Sequence, residues 1–417
     1  MSRQILPAQT RSLAAHTLVS WSEAAQYPEL SKLFDNDKER PLGVKKLPAK
    51  LSTWLGGRLK LKHQAFQMLC SLNDFDRVKV IEEIIAICRN PSAPDVSVQR
   101  RNAFQRLRRS RYPFGGYHYL VKFAVASPVI IVDDIYFDEQ LLGVKEGASH
   151  MERNALYRVK RNGHATFDSS NTDREIVNKL IDNWDNATPQ PVHRVETRHA
   201  AVNGMLNELS KATWLMGTHL DTAYKGQSFD DYTLFHNPSD GAGEDLLECG
   251  YDKRATGRIH GYSHNVHHLA AVLNEAQQRG QRTHWVAHSQ GAIIFARAVR
   301  VHLRAIGTPL NHHKVSLHGV GCNMGDARLV CQQAMIQVVS SRNNPFDMVP
   351  NLAGGNDLSA SGLWRSLKFM GLVAGDDSLA SPHTLPYLGI DSYHRQLLMT
   401  GNHDRARTVA RYMAKGG

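Results

Sequence analysis

Residues 286–291 read VAHSQG and stand between an apolar run with strand character and the helical run IIFARAV. A strand, a serine and a helix in this order form the context that a nucleophile turn requires. Such a turn needs small residues two positions before and after the nucleophile, because larger side chains would collide with the neighbouring strand and helix. Here they are Ala287 and Gly291. We therefore predict that Ser289 is a nucleophile; the alternative is a serine that only caps the following helix.

Segments with strand and helix character alternate on both sides of this turn. Aromatic and β-branched residues predict strands in HYLVKFAVA and PVIIVDDIYF before it, and in KVSLHGVGC and AMIQVVSS after it. Apolar spacing predicts helices near 173–184, 197–211 and 264–279. This alternation predicts an α/β domain over 115–417, with a mostly parallel sheet flanked by helices.

A catalytic acid should follow the serine along the chain, and a catalytic histidine should follow the acid. The strongest candidate acid is Asp347, in DMVPNL, just past the predicted strand AMIQVVSS. Open α/β sheets place their reactive groups at the carboxyl ends of the strands. There Asp347 would fix the imidazole tautomer and offset the charge of the imidazolium. The competing acids are Asp326, Asp376 and Asp377.

The segment SPHTLPYLGIDSYH contains two candidate bases. His383 lies in a loop between Pro382 and Pro386, which is a stiff frame for a catalytic imidazole. His394 lies where the sequence predicts the start of a helix, and it remains the alternative base. The more distant His403 is the weakest of the three. We expect His383 to take the proton of Ser289.

Three motifs of this chain together resemble the α/β-hydrolase lipases, especially the class 3 lipase-like group. They are VAHSQG, the D-x-V-P-x-L segment at Asp347 and the H…YLG segment at His383. FHNPSDG and the following EDLLECGYDK resemble hydrolase domains of bacterial lipase-like effectors and toxins. The resemblance covers residues 228–395. It implies an enzyme with an α/β-hydrolase fold that degrades lipids without a cofactor. The histidine motif of class 3 lipases is usually one residue more compact than the motif here, so His394 remains the alternative catalytic base.

The oxyanion of an ester-hydrolysing enzyme needs hydrogen-bond donors. The amide of Gln290 directly follows the nucleophile at a helix N-terminus, so it is the first predicted donor. The family pattern implies a second donor from the loop after an early strand, which in this sequence would be 236–241. Pro238 has no amide proton, so the resemblance leaves Asn237 and Ser239 as the candidates.

We expect neither a metal nor a cofactor. His264 and His268 are four residues apart on one face of a predicted helix, but no third ligand is evident. The five cysteines are odd in number and form no CxxC pair, which favours buried thiols in a reducing compartment. The sequence contains no apolar run of membrane-spanning length and no clear cleaved signal. We expect synthesis in the cytoplasm, with export by a route without a cleaved signal left open.

Residues 1–114 are predicted to form a basic, mainly helical module. They carry 20 basic and 10 acidic side chains, whereas the remainder carries 30 and 29. Six arginines lie within twelve residues: Arg100, Arg101, Arg106, Arg108, Arg109 and Arg111. If this segment is helical, some of them must face solvent or an anionic partner. An anionic membrane surface is the partner we favour, and nucleic acid is the less favoured one.

These patterns predict a serine hydrolase that cleaves carboxylic esters, in particular a lipase or phospholipase. A thioesterase or a peptidase could use the same three residues. A third alternative is a non-enzymatic protein with a hydrolase fold, whose arginine-rich module binds an anionic partner.

Overall fold

The computed structural model describes residues 18–34, 46–92, 96–99, 102–109, 119–137, 155–165, 178–179, 181–184, 189–204, 207–237, 264–373, 380–383 and 390–416. The chain divides into two compact units, residues 1–142 and 143–417. Each unit contains its own sheet. Among the described residues, no helix combines the length and the apolar character that crossing a membrane would require.

The N-terminal unit is built on a six-stranded sheet in the order β1-β2-β6-β5-β4-β3. Every neighbouring pair is antiparallel except β2 and β6, which are parallel. The strands are β1 Leu18–Ser20, β2 Leu59–Lys62, β3 Val96–Gln99, β4 Asn102–Arg109, β5 Tyr119–Ala126 and β6 Val129–Phe137. The helices are α1 Trp21–Ala24, α2 Pro28–Ser31, α3 Ala49–Gly56, α4 His63–Ser71 and α5 Asp74–Arg89.

This sheet corrects the predicted extent of the first unit. The unit continues past residue 114 and, in the part that the structure describes, combines the expected helices with a six-stranded sheet. Their strand character predicts that β5 and β6 belong to the second domain, but β5 pairs with β4 from Gln105 to Arg109. Strand pairing across the predicted boundary therefore extends the first unit to residue 142.

The arginine-rich segment is also not a helix where it is described. Arg106, Arg108 and Arg109 lie on β4, which pairs with both β3 and β5. Arg100, Arg101 and Arg111 lie outside the described residues.

A buried ion pair holds the helices of the N-terminal unit together. Arg77 on α5 is 3% exposed and donates to Asp74 over 2.6 Å. Its other donors reach the main-chain carbonyls of Leu69, Cys70, Leu72 and Glu29. Asp74 in turn accepts from Lys32 over 2.9 Å. The guanidinium therefore has partners on every side, as a buried charge requires.

The second unit is mixed α/β, with a seven-stranded sheet in the order β13-β12-β11-β9-β10-β7-β8. The run from β13 to β10 is parallel, and β7 adds an antiparallel edge with β8. The strands are β7 Ala155–Lys160, β8 Gln190–Val192, β9 His199–Val202, β10 Asp231–His236, β11 Thr283–His288, β12 His313–His318 and β13 Gln337–Arg342. The mostly parallel sheet flanked by helices agrees with the prediction.

Helices join the parallel strands of this sheet, as parallel pairing requires. They are α6 Leu209–Ala223, α7 His264–Gln278, α8 Gln290–Ala305 and α9 Met324–Gln333, followed by α10 Ala360–Val373, α11 Ile390–Met399 and α12 His403–Met413. The helix predicted near 197–211 is wrong, because residues 199–202 form the central strand β9. All four residues of β9 are buried, and full burial on both faces removes the alternation that marks a strand.

Candidate active site

Ser289 lies on the turn between β11 and α8. Its backbone has φ 56° and ψ −125°. Residues other than glycine rarely adopt this conformation, which in turns is found mainly at glycine. A Cβ atom on Gly291 would lie 2.4 Å from the carbonyl oxygen of Val202, so only glycine fits there. Ser289 makes no capping hydrogen bond, and the capping alternative is therefore wrong. The strain raises the hydroxyl above the carboxyl edge of the sheet.

The hydroxyl of Ser289 lies beside an imidazole and, through it, a carboxylate. Its Oγ is 2.8 Å from Nε2 of His383. On the other side of the ring, Nδ1 is 2.6 Å from Oδ2 of Asp347. Asp347 is 1% exposed and Ser289 is 4% exposed, so water screens these charges little. The structure thus brings together the three residues that were proposed from the sequence as nucleophile, base and acid.

The loop after β13 holds Asp347 in place. Oδ1 of Asp347 accepts the amide of Val349 over 2.9 Å, which leaves Oδ2 for the imidazole. The amide of Asp347 donates to the carbonyl of Asn344. Of the competing acids, Asp326 lies in the first turn of α9, where Asn323 caps its amide. Asp376 and Asp377 are not in the part of the chain that the structure describes.

His383 sits on a short segment, 380–383, that the C-terminal helices anchor. Ala380 belongs to a hydrophobic cluster that also contains Phe346, next to Asp347; the other members are Phe369, Tyr393, Leu397, Ala406 and Val409. The hydroxyl of Tyr393 donates to the carbonyl of Ala380 over 3.2 Å. One cluster therefore positions both the acid and the base. His394 lies on α11, and it is His383 that bonds both Ser289 and Asp347.

Three buried histidines, His288, His219 and His318, form a cluster of rings in contact with His383. His288 donates from Nε2 to the main-chain carbonyl of His383 over 2.9 Å, and the two rings are 4.7 Å apart. The His288 ring also lies 4.5 Å from that of His219, whose Nδ1 is 2.9 Å from Nδ1 of His318. Burial lowers the pKa of His288 and His219 well below the usual value and that of His318 to about 3. These three imidazoles are therefore neutral at physiological pH.

The structure corrects the predicted oxyanion loop. The amide of Asn237 donates to Oδ1 of Asn203 over 2.7 Å, and its side chain donates to Oε1 of Gln290. Its amide is therefore not available to an oxyanion, and Ser239 lies outside the described ranges. β9, rather than β10, is the neighbour of β11. The loop after β9 accordingly approaches the nucleophile: a Cβ on Gly204 would lie 2.6 Å from Cβ of Ser289.

Sequence reasoning missed this loop because β9 was predicted to be helical. The signal that could have located it is the Asn203-Gly204 pair, which is typical of a turn. Gln290 is the first residue of α8, as predicted. The first amides of a helix have no partner within the helix, so the Gln290 amide is suited to a developing negative charge.

Within the described residues, no group of three or more histidine, cysteine or acidic side chains could hold a metal ion. His268 is fully buried on α7. Burial raises the pKa of the thiols of Cys70, Cys88 and Cys331 to about 12 and that of Cys322 to about 11. These four cysteines are free thiols, and their raised pKa disfavours the reactive thiolate form.

Comparison of the chain with protein-family models, with curated proteins and with solved structures found no match. The function must therefore be inferred from the positions of the side chains and from their chemistry.

Proposed function

We propose that this protein is a serine hydrolase that cleaves carboxylic esters. One observation carries the proposal: hydrogen bonds link Ser289 to His383 and His383 to Asp347, and the serine has a strained backbone. Strained residues persist only where the surrounding structure holds them, and they cluster at reactive sites. A serine with only a structural role would have no need of this conformation.

In the proposed mechanism, Nε2 of His383 takes the proton of Ser289 as Oγ attacks the ester carbonyl. The carboxylate of Asp347 holds the Nδ1–H of His383 and balances the imidazolium that forms. The imidazolium then protonates the leaving alcohol, and an acyl-enzyme remains on Ser289. Water activated by the same imidazole releases the acid and restores the serine.

The amide of Gln290 and one amide of the loop after β9 would bind the oxyanion. Losing one such donor typically costs about 3–4 kcal/mol of transition-state stabilisation. We place the second donor at Gly204, because this loop follows the strand beside β11 and Gly204 closely approaches Ser289. No cofactor takes part in these steps.

We further propose that the second unit has the α/β-hydrolase fold and that the natural ester is a lipid, as in lipases and phospholipases. The order of serine, acid and histidine along the chain supports this class. So does the position of Ser289 at the carboxyl edge of a parallel sheet. The resemblance of the motifs to class 3 lipases and to lipase-like effectors points to the lipid substrate.

An organophosphonate probe tests the proposal directly, because it labels only an activated serine. We expect mass spectrometry of the labelled full chain to locate the adduct on Ser289. Labelling should disappear in Ser289→Ala and fall strongly in His383→Ala. An unlabelled wild-type chain that also fails to hydrolyse any ester would leave the non-enzymatic alternative. If Ser289 is labelled, a panel of acyl esters, thioesters and peptides separates a lipase from a thioesterase or a peptidase.

A further inference from the structure

Four large apolar residues of α10 are exposed. Along this helix the buried positions are Gly362, Ser366 and Phe369, two of which have small side chains. The exposed positions carry large apolar side chains: Trp364 is 59% exposed and Leu367 is 57% exposed, and Leu363 and Met370 lie beside them. These four residues recur at helical spacing and form one continuous stripe. We call this stripe the outer face of α10.

One cation contacts this face, and the neighbouring helix α12 carries others. Lys368 lies over the ring of Trp364 at 5.1 Å and donates to Thr408 of α12 over 2.6 Å. α12 and the residues after it carry Arg407, Arg411 and Lys415, all exposed. Asp404 is the only acid in this helix, and it pairs with Arg407. An apolar stripe containing tryptophan and bordered by lysine and arginine is typical of helices that lie in the interface of an anionic bilayer.

The inner side of α10 rests on the loop that carries Asp347. The rings of Phe369 and Phe346 are 4.7 Å apart, and Asn351 donates to Oγ of Ser366 over 3.1 Å. Arg365 reaches the carbonyl of Pro345 over 3.3 Å. A surface bound to the outer face would therefore lie on the opposite side of the helix that supports the candidate acid.

We propose that the outer face of α10, together with the cations of α12, docks this unit on an anionic phospholipid surface. Tryptophan and leucine enter the boundary between headgroups and acyl chains, while Lys368, Arg407 and Arg411 remain among the phosphates. Charge complementarity selects this occupant, because a second copy of the chain would bring the same cations against each other. The proposal deepens the proposed lipid hydrolysis, but binding can be measured without any turnover.

The test uses the full chain carrying Ser289→Ala and vesicles of phosphatidylcholine with or without phosphatidylglycerol. We expect sedimentation with the anionic vesicles. Trp364→Gln and Leu367→Gln should each weaken partition by about tenfold, because each removes an apolar side chain from the lipid. The matched control is Leu329→Gln on α9, since Leu329 is 53% exposed in a similar helix but lies outside this face. It should bind as the parent does.

Tryptophan fluorescence separates contact with lipid from an indirect effect. The other five tryptophans are buried or half-buried, so a blue shift on adding vesicles should come from Trp364. Trp364→Leu keeps an apolar side chain and should still bind, but without the shift. Lys368→Gln should weaken binding about fivefold on anionic vesicles alone, and added salt should reduce this difference.

Four results would overturn the proposal. One is equal binding by Leu367→Gln and Leu329→Gln, and another is an absence of vesicle binding by the parent. The third is loss of binding only when Arg106, Arg108 and Arg109 of β4 are replaced by glutamine, which would place the lipid contact on the N-terminal unit. A parent dimer that dissociates on Leu367→Gln, with no effect on vesicles, would assign the face to a second copy. Ester hydrolysis by the enzyme with Ser289 intact is scored separately, so failure here leaves the proposed function standing.

Discussion

One buried polar site in each unit can be compared, the Arg77 site of the first and the histidine cluster beside Ser289 of the second, and their hydrogen bonds are satisfied to different extents. In the N-terminal unit, every donor group of Arg77 finds a carbonyl or a carboxylate. In the second unit, the buried nitrogens Nδ1 of His288, Nε2 of His219 and Nε2 of His318 have no hydrogen-bond partner among the described residues. Ser289 beside them has a strained backbone.

Under the proposed function, this difference distinguishes a structural polar site from a reactive one. A satisfied buried charge orders the helices around it and leaves nothing available for a ligand. An unsatisfied and strained cluster lowers stability, and it persists where function requires it. The contrast predicts that substitutions at Ser289 and at Arg77 will separate activity from stability.

Ser289→Gly should give the largest effect. Glycine adopts φ 56° without strain, so we expect the second unit to gain about 1 kcal/mol of unfolding free energy. Ester hydrolysis should fall by about four orders of magnitude or more, because the nucleophile is lost. The measurements are turnover of a p-nitrophenyl ester and denaturant unfolding. Ser289→Ala is the control: it should be equally inactive without the gain, and turnover near the wild-type rate would contradict the assignment.

His383→Ala should reduce kcat nearly as much as the loss of Ser289, and the double variant should be no worse than either single one. The residues act as one unit, so their effects do not add. His394→Ala serves as the matched control on α11 and should retain most of the activity. The pair is compared by steady-state kinetics on the same ester. If His394→Ala is the inactive variant, the roles of the two histidines must be exchanged.

Arg77→Met should destabilise the N-terminal unit by about 3–5 kcal/mol, since removing one partner of a buried ion pair leaves the other polar groups unsatisfied. Hydrogen exchange of peptides from α4 and α5 measures the loss. Lys79→Met on the same helix is the control, because Lys79 is paired only at the surface with Glu82. Similar exchange in both variants would remove the distinction between the two polar sites.

The smallest effect should appear on mild acidification. Burial lowers the pKa of His313 to about 4 and that of His318 to about 3, from 6.5. As the pH falls, these histidines take up protons in the unfolded chain at a higher pH than in the folded chain. The free energy of unfolding is therefore highest above pH 6.5 and decreases as the pH falls below it. Between pH 6.5 and about 5.5, each such histidine should cost about 1 kcal/mol.

Denaturant unfolding with peptide-level hydrogen exchange should place this loss in the second unit. The described part of the N-terminal unit contains one histidine, His63, and provides the internal comparison. His318→Gln should reduce the pH dependence. Equal losses in both units would show that the buried histidines are not its cause.

The nucleophile turn could be predicted from the sequence because its determinants are local. Ala287, Ser289 and Gly291 stand together in one short stretch that can be recognised without the fold, although the contact that requires glycine at 291 comes from Val202 on the neighbouring strand. The order in which Asp347 and His383 follow the serine could also be predicted from the sequence. In the second unit, the strands β11, β12 and β13 were predicted from residue type and the helices α7 and α8 from apolar spacing, and the structure agrees with these five elements.

Features that depend on contacts between distant segments were decided by the tertiary structure alone. β5 pairs with β4 rather than with the second sheet, and β9 rather than β10 borders β11. The choice between His383 and His394, the bond from His288 to the base and the outward apolar face of α10 depend on segments far apart in the chain. Local pattern limits which elements form, but strand neighbours and burial are set by the free energy of packing the whole sheet, which no short stretch encodes.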